Sequence, residues 1–272
     1  MDIELEQPET WPDELRQLVN QHREQLISYQ HAREWIEELQ RADVGARIWP
    51  PRNPWQGSYK TLLGQTEALL AGHRFVGYHC SRLTPGEVAT IRSTGLRALT
   101  SNLVYERIQA LGDAGDMLPE RCAFFLGSSV LGAYLANRRG FRTGLVWLCP
   151  NRSVLQDAAA VFGLFRYWGG EVLYKGFVHD AAVAAELGGI GQPAIVKCAV
   201  PFDRDLIATV APRLLSHAVR PTIAYPEPSA NFDWGVPRDL AGSEVTDVIL
   251  LDDARFEDLT GQRGWSSEYR LG

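Results

Sequence analysis

Apolar residues in the N-terminal part of the chain recur at the spacing of amphipathic helices. Between residues 10 and 42 they return every three or four positions, after a start signal that combines a cap residue (Thr10), an early proline and first-turn acids. The segment 49–55 contains three prolines and cannot continue a helix, while a shorter helix is expected near 57–71. The pattern therefore predicts a helical N-terminal extension over residues 1–72.

From residue 73 onward, short apolar runs alternate with helical patterns. Strands are predicted at 74–80, 122–126, 145–149, 171–174, 193–200 and 245–251. A capping box, Thr84-Pro-Gly-Glu87, opens a helix that ends at Gly95. Further helices are predicted over 101–112 and from Ser128 or Ser129 to Arg139, with Gly140 as the stop. Residues 73–272 are thus predicted to form an α+β domain with short strands in mixed order.

Composition narrows the class of protein. The chain has 272 residues, of which 45% are hydrophobic and 22% charged, as expected for a globular protein. Its formal net charge of -6 gives no general attraction to nucleic acid or anionic membranes. No apolar stretch reaches the roughly 20 residues of a membrane span, and the acidic start lacks the order of a signal peptide. We therefore expect a cytoplasmic protein that does not engage membranes.

The four cysteines are widely spaced and form no CxxC pair: Cys80, Cys122, Cys149 and Cys198. A structural zinc site would need closely spaced ligands, and a disulfide framework is typical of shorter, cysteine-richer chains. Buried, reduced thiols and no metal are the expectation. Neither a GxGxxG nor a Walker sequence is present, so dinucleotide binding by a Rossmann domain is not indicated.

Three separated segments carry candidate chemistry. The first is His79-Cys80-Ser81-Arg82 at the end of a predicted strand, and the second runs from Phe124-Phe125 to Tyr134. The third is Glu171, which the pattern places among apolar residues on a strand. A carboxylate in such surroundings needs solvent, a partner or a ligand, because a lone buried charge is unfavourable.

In this order, the three segments resemble the catalytic domain of ADP-ribosyltransferases of the diphtheria-toxin and poly-ADP-ribose-polymerase type. The resemblance covers residues of about 75–200 and includes the Gly95-Leu96 turn after the first helix. These families share a His–Tyr–Glu pattern on a split β-sheet that binds NAD. The resemblance therefore implies a split, mixed sheet with NAD as the substrate.

The resemblance also implies a role for each residue. Glu171 would be the catalytic carboxylate that stabilises positive charge on the ribose as the nicotinamide–ribose bond breaks. Tyr134 would stack on nicotinamide, and His79 would bind the adenosine-side ribose with help from Ser81. Cys80 would offer its backbone to the carboxamide, and Arg82 would meet the pyrophosphate. Phe125, or its neighbour Phe124, would stand in for a second stacking aromatic.

Some positions depart from the family pattern. Cys80 stands where many relatives carry glycine, and Ala123 stands where a second stacking aromatic often lies. Gly169 occupies the place of the Glu or Gln that orients the acceptor in arginine-modifying toxins, which disfavours that acceptor. A basic cluster at 138–142 is interpreted as a favourable helix end, with phosphate contact as the alternative.

These observations lead to one expected function and two alternatives. The expected function is a mono-ADP-ribosyltransferase that modifies a macromolecule, either protein or nucleic acid. The resemblance also implies the role of a toxin or defence effector held by an inhibitory partner protein, because such roles are common in these families. An NAD glycohydrolase would use the same pocket with water as acceptor. A catalytically inactive NAD- or ADP-ribose-binding module is the alternative outside enzymes, and only an active protein needs a carboxylate at Glu171.

Overall fold

A computed structural model describes residues 1–136, 142–177, 179–220 and 233–261 of the chain. The chain divides into two compact units, one formed by Met1–Val76 with Val200–Ser229 and the other by Gly77–Ala199 with Ala230–Gly272. The predicted boundary after residue 72 lies close to Val76. Residues 200–229, which the sequence analysis placed in the domain 73–272, belong to the first unit.

The first unit is mainly helical. Its elements are β1 (Asp2–Ile3), α1 (Asp13–Gln21), α2 (Arg23–Ala42), α3 (Val44–Ile48), α4 (Gln56–Leu70), the first residues of β2 (Arg74–Leu83) and α13 (Arg204–Val219). The predicted helical region 10–42 is confirmed but is interrupted at His22, whose φ of -110° leaves the helical range. Both α2 and α4 pack on α13. Strand β1 pairs in parallel with the start of β2.

The second unit combines short helices with short strands. Its helices are α5 (Pro85–Thr94), α6 (Ser101–Ala114), α7 (Pro119–Leu126), α8 (Ser129–Ala136), α9 (Arg152–Leu155), α10 (Ala158–Arg166), α11 (Gly170–Phe177), α12 (Ala181–Gly189) and α14 (Ala254–Thr260). Besides most of β2, its strands are β3 (Gly95–Leu96), β4 (Val146–Leu148), β5 (Gln192–Pro201), β6 (Trp234–Val236), β7 (Leu240–Ala241) and β8 (Val245–Leu250). Strands β2, β5 and β8 are neighbours in that order. The pairs β3–β7, β4–β6 and β5–β8 are antiparallel.

The start and stop signals of α5 are confirmed, whereas Thr10 does not cap α1, which begins at Asp13 after Pro12. The Thr84 side chain accepts a hydrogen bond from the Glu87 N–H, and the Glu87 carboxylate accepts one from the Thr84 N–H, so the capping box opens α5 as predicted. Gly95 ends α5 with a φ of 98°, a conformation that favours glycine. Helix α8 begins at Ser129 as predicted, while Arg139 and Gly140 lie outside the described residues.

Two predicted strands are wrong. Residues 122–126 form the end of α7, which starts with Pro119 in its first turn. Residues 171–174 belong to α11, whose buried residues are Val172, Leu173 and Phe177. An apolar run of four or five residues does not separate a strand from a buried helix segment by periodicity. The predicted strands at 74–80, 145–149, 193–200 and 245–251 are confirmed.

The protein is therefore a mixed α+β protein, with both parallel and antiparallel strand pairs. None of the helices in the described ranges is long and apolar enough to cross a membrane. The narrower expectation, a split sheet of the ADP-ribosyltransferase type, stays a prediction.

Candidate functional site

A cavity of about 690 Å³ lies within the second unit. Its wall includes residues of β2, α5, α6, β4 and α10 and the start of α11. A volume of this size is typical of sites that bind small molecules and cofactors. Four of the predicted site residues line this cavity: His79, Cys80, Ser81 and Glu171.

His79 is fixed in orientation by the strand beside it. Its Nδ1 atom lies 2.9 Å from the carbonyl oxygen of Trp147, and since a carbonyl only accepts, Nδ1 carries the proton. Burial lowers the pKa of His79, the hydrogen bond to Trp147 opposes this effect, and the charge of Arg107 lowers the pKa further. The neutral ring keeps Nε2 as a hydrogen-bond acceptor.

Two backbone hydrogen bonds join β2 to the end of β4. Tyr78 donates to the Cys149 carbonyl and Cys149 donates to the Tyr78 carbonyl, each at 2.8 Å. Both residues line the cavity together with Cys80. Burial raises the pKa of the Cys80 thiol well above its usual range, helped by nearby Cys149 and Asp233. The thiol therefore stays protonated.

Glu171 lies in the first turn of α11, where a carboxylate is stabilised by the helix dipole. Its side chain is only 16% exposed and makes two ion pairs. Oε2 lies 2.7 Å from Nε of Arg142, and Oε1 lies 2.9 Å from Nζ of Lys175 one helical turn away. Although the strand prediction for Glu171 is wrong, the residue still lines the cavity.

Arg142 connects the two ends of the candidate site. Its guanidinium lies 5.1 Å from the centroid of the Trp147 ring while it pairs with Glu171. Since Trp147 also accepts the hydrogen bond from His79, the four residues form a continuous series of contacts, His79–Trp147–Arg142–Glu171. This series brings the first and last predicted segments to one cavity.

Tyr134 lies beside this series but is not part of the cavity wall. It is partly buried and packs against the hydrophobic core. Burial and then the charge of Glu171 raise the pKa of Tyr134. The same two causes, together with a hydrogen bond to Glu171, raise the pKa of Tyr174 to about 12. The charge of Glu171 therefore raises the pKa of both tyrosines.

Phe125 and Arg82 do not line the cavity. Phe125 is fully buried, with its ring centroid 5.3 Å from that of Phe177. Arg82 is 4% exposed, and it donates to the carbonyl oxygens of Ile190 and Phe165 at 2.6 Å and 3.2 Å. Burial lowers its pKa to about 10, with a further contribution from Arg166. The structure thus gives both residues positions in the interior of the unit.

Several residues on the cavity wall were not singled out as site residues from the sequence, among them Arg107, Trp147 and Glu87. Glu87 was noticed only as a member of the capping box, and Arg142 only as part of the basic cluster at 138–142. Trp147 carries no local signal, because it is one aromatic residue in a short apolar strand. Its role follows from tertiary contacts with His79 and Arg142.

In the part of the chain that the structure describes, no group of three or more His, Cys, Asp and Glu side chains is arranged to hold a metal ion. The chain matches no protein-family model, no curated protein and no solved structure. The inferences below are therefore drawn from the geometry of the cavity and the chemistry of its residues.

Proposed function

We propose that this protein binds NAD in the cavity and transfers its ADP-ribose group to a macromolecular acceptor. The observation that carries the proposal is the presence of Glu171 and His79 on the same cavity, connected through Arg142 and Trp147. A carboxylate and a neutral histidine at separate points of one pocket fit a ligand that is long and carries two ribose groups.

The reaction requires little from the protein beyond binding and electrostatics. The bond between C1′ of the ribose and the nicotinamide nitrogen breaks, and its electron pair neutralises the pyridinium ring. Positive charge then develops on the ribose, where the Glu171 carboxylate would stabilise it in a largely buried site. A nucleophile of the acceptor forms a new bond to C1′ and releases its proton to solvent.

A protein is the first acceptor class to test. The formal net charge of -6 provides no general attraction to nucleic acid. Gly169, which precedes the helix of Glu171, provides no side chain to orient an acceptor. Acceptor choice would therefore depend on surfaces around the cavity rather than on the Glu171 segment.

The test compares the native protein with Glu171→Gln during incubation with doubly labelled NAD, carrying one label on nicotinamide and one on adenine. We expect the variant to release nicotinamide about 100- to 1,000-fold more slowly, because one electrostatic group of the reaction is lost. Glu186→Gln is the matched control, since Glu186 also pairs with an arginine (Arg121, at 2.7 Å) but lies off the cavity wall. Its rate is expected to be unchanged.

Three results would overturn the proposal. Equal nicotinamide release by the native protein and Glu171→Gln would remove the carboxylate from the reaction. The absence of release by the native protein, with cell lysate present as a source of acceptors, would contradict the proposed cleavage of NAD. Release of the adenine label only as free ADP-ribose would identify a glycohydrolase.

A further inference from the structure

Arg107, on α6, is held rigidly at the cavity wall. Its Nε donates to Oε1 of Glu87 at 2.6 Å, and its guanidinium lies 4.8 Å from the centroid of the Trp168 ring. Trp168 in turn donates from Nε1 to the other Glu87 oxygen at 3.0 Å. Burial raises the pKa of Glu87, but the charge and hydrogen bonds that it receives outweigh this, and its pKa is lowered. The Arg107–Glu87 pair is therefore ionised and preorganised.

One nitrogen of the Arg107 guanidinium forms no hydrogen bond with the described part of the protein. Nη2 of Arg107 is buried and has no hydrogen-bond partner among the described residues. A buried donor without an acceptor is unfavourable, so such an atom next to a cavity favours a ligand that supplies an acceptor oxygen. A phosphate group supplies several oxygens and matches the planar fork of arginine.

The location of Arg107 indicates which part of a ligand it would meet. Arg107 and His79 line the same cavity, and the charge of Arg107 lowers the pKa of His79. Thr84 and Gly86, at the N-terminal end of α5, also line the cavity.

The other arginines near the cavity are engaged differently. Arg82 is buried and donates to the Ile190 and Phe165 carbonyls. Arg142 pairs with Glu171, and Arg97 forms an exposed ion pair with Glu106. Arg107 is the arginine of the described cavity wall that combines rigid support with an unpartnered donor.

We propose that Arg107, rather than Arg82, binds the pyrophosphate of NAD, within the cavity that His79 also lines. This inference rests on the proposed function and assigns a subsite within the same cavity. The adenosine-side ribose would then lie at His79, with the nicotinamide-side ribose extending toward Glu171. Arg107 has the role of a binding residue, since it lies away from the reacting C1′ atom.

The test measures the binding of adenosine and ADP by calorimetry to the native protein and to Arg107→Lys. Lysine keeps the positive charge beside Glu87 but removes the guanidinium fork. The native protein is expected to bind ADP more tightly than adenosine, and Arg107→Lys to lose roughly 10- to 100-fold of that preference. Its affinity for adenosine should change less than about twofold, because adenosine carries no phosphate for the guanidinium to bind. Arg97→Lys, a second arginine of the cavity wall, should keep the preference.

Three results would overturn the subsite. The first is a native protein that binds ADP no more tightly than adenosine, and the second is an Arg107→Lys variant that keeps the preference. The third is a variant that loses adenosine and ADP together, since an equal loss indicates a purely structural role. Nicotinamide release separates the two proposals. Release that depends on Glu171 without an Arg107-dependent preference for ADP contradicts the subsite alone, whereas the reverse result contradicts the reaction alone.

Discussion

The Arg142 guanidinium and the Glu171 carboxylate form an ion pair, with Nε 2.7 Å from Oε2. The same guanidinium lies on the face of the Trp147 ring. Lys175 pairs with the remaining oxygen of Glu171. A planar cation thus lies between an aromatic ring and a carboxylate, which is also the environment that a nicotinamide riboside cation would need.

Replacement of Arg142 is therefore expected to strengthen NAD binding. Arg142→Ala removes a cation that competes with the nicotinamide ring of NAD for Trp147 and Glu171. The dissociation constant of NAD should therefore fall roughly three- to tenfold. Titration with a carbocyclic NAD analogue, which cannot be cleaved, measures this directly. Lys175→Ala is the control, because it removes an ion pair of Glu171 without uncovering the ring. Weaker binding by Arg142→Ala would show instead that Arg142 contacts the ligand.

Phe125 is expected to stabilise the fold without contacting NAD. Phe125→Ala should lower the free energy of unfolding by about 3–5 kcal/mol, because it empties a fully buried ring site. Phe124→Ala should cost about 1 kcal/mol or less, since this ring is 44% exposed and lies near the Arg121 guanidinium. Chemical denaturation measures both values. A Phe125→Leu variant that stays folded but loses NAD binding would contradict this assignment.

His79 is expected to make stability depend on pH. Burial lowers its pKa below the ordinary 6.5, and Arg107 lowers it further against the opposing hydrogen bond to Trp147. The unfolded chain therefore takes up a proton that the folded protein does not. The free energy of unfolding should fall as the pH decreases below 6.5, by up to about 1.4 kcal/mol per pH unit.

Denaturation of the native protein and of His79→Gln across this range isolates the effect. The comparison is needed because the pKa of His73 is also lowered, by burial and by the N-terminal amino group. The titration of His73 contributes equally to the pH dependence of stability in both proteins. A shallower pH profile is expected for the variant. Parallel profiles would show that His79 titrates alike in the folded and unfolded states.

Several of the confirmed predictions depend on local signals. The capping box at Thr84 and Glu87 and the helix stop at Gly95 follow from hydrogen bonds and backbone conformations within a few residues. The strand at 74–80 was marked by a run of apolar residues with flanking polar ones. Such features depend little on what packs against them, so the sequence is sufficient to predict them.

The errors and omissions depend on tertiary structure. The run Val172-Leu173-Tyr174 is apolar enough for a strand, and its helical state reflects packing against the core of the second unit. Likewise, the contact of Arg142 with Trp147 and Glu171 joins three separate segments, and no spacing in the sequence encodes it. Arg82 follows the candidate histidine closely, yet its side chain is directed into the interior by the carbonyls that it meets there.

The start of α11 determines where the carboxylate of the candidate site is directed. Gly169 and Gly170 have φ values of 86° and 63°, and a Cβ atom at Gly169 would come within 2.2 Å of Leu173. In a strand, a shift of one residue would move Glu171 to the opposite face, whereas on a helix it turns the side chain by about 100°. The glycine pair therefore allows α11 to begin where it does, and a one-residue shift of the helix relative to the cavity would turn Glu171 by about 100° away from Arg142.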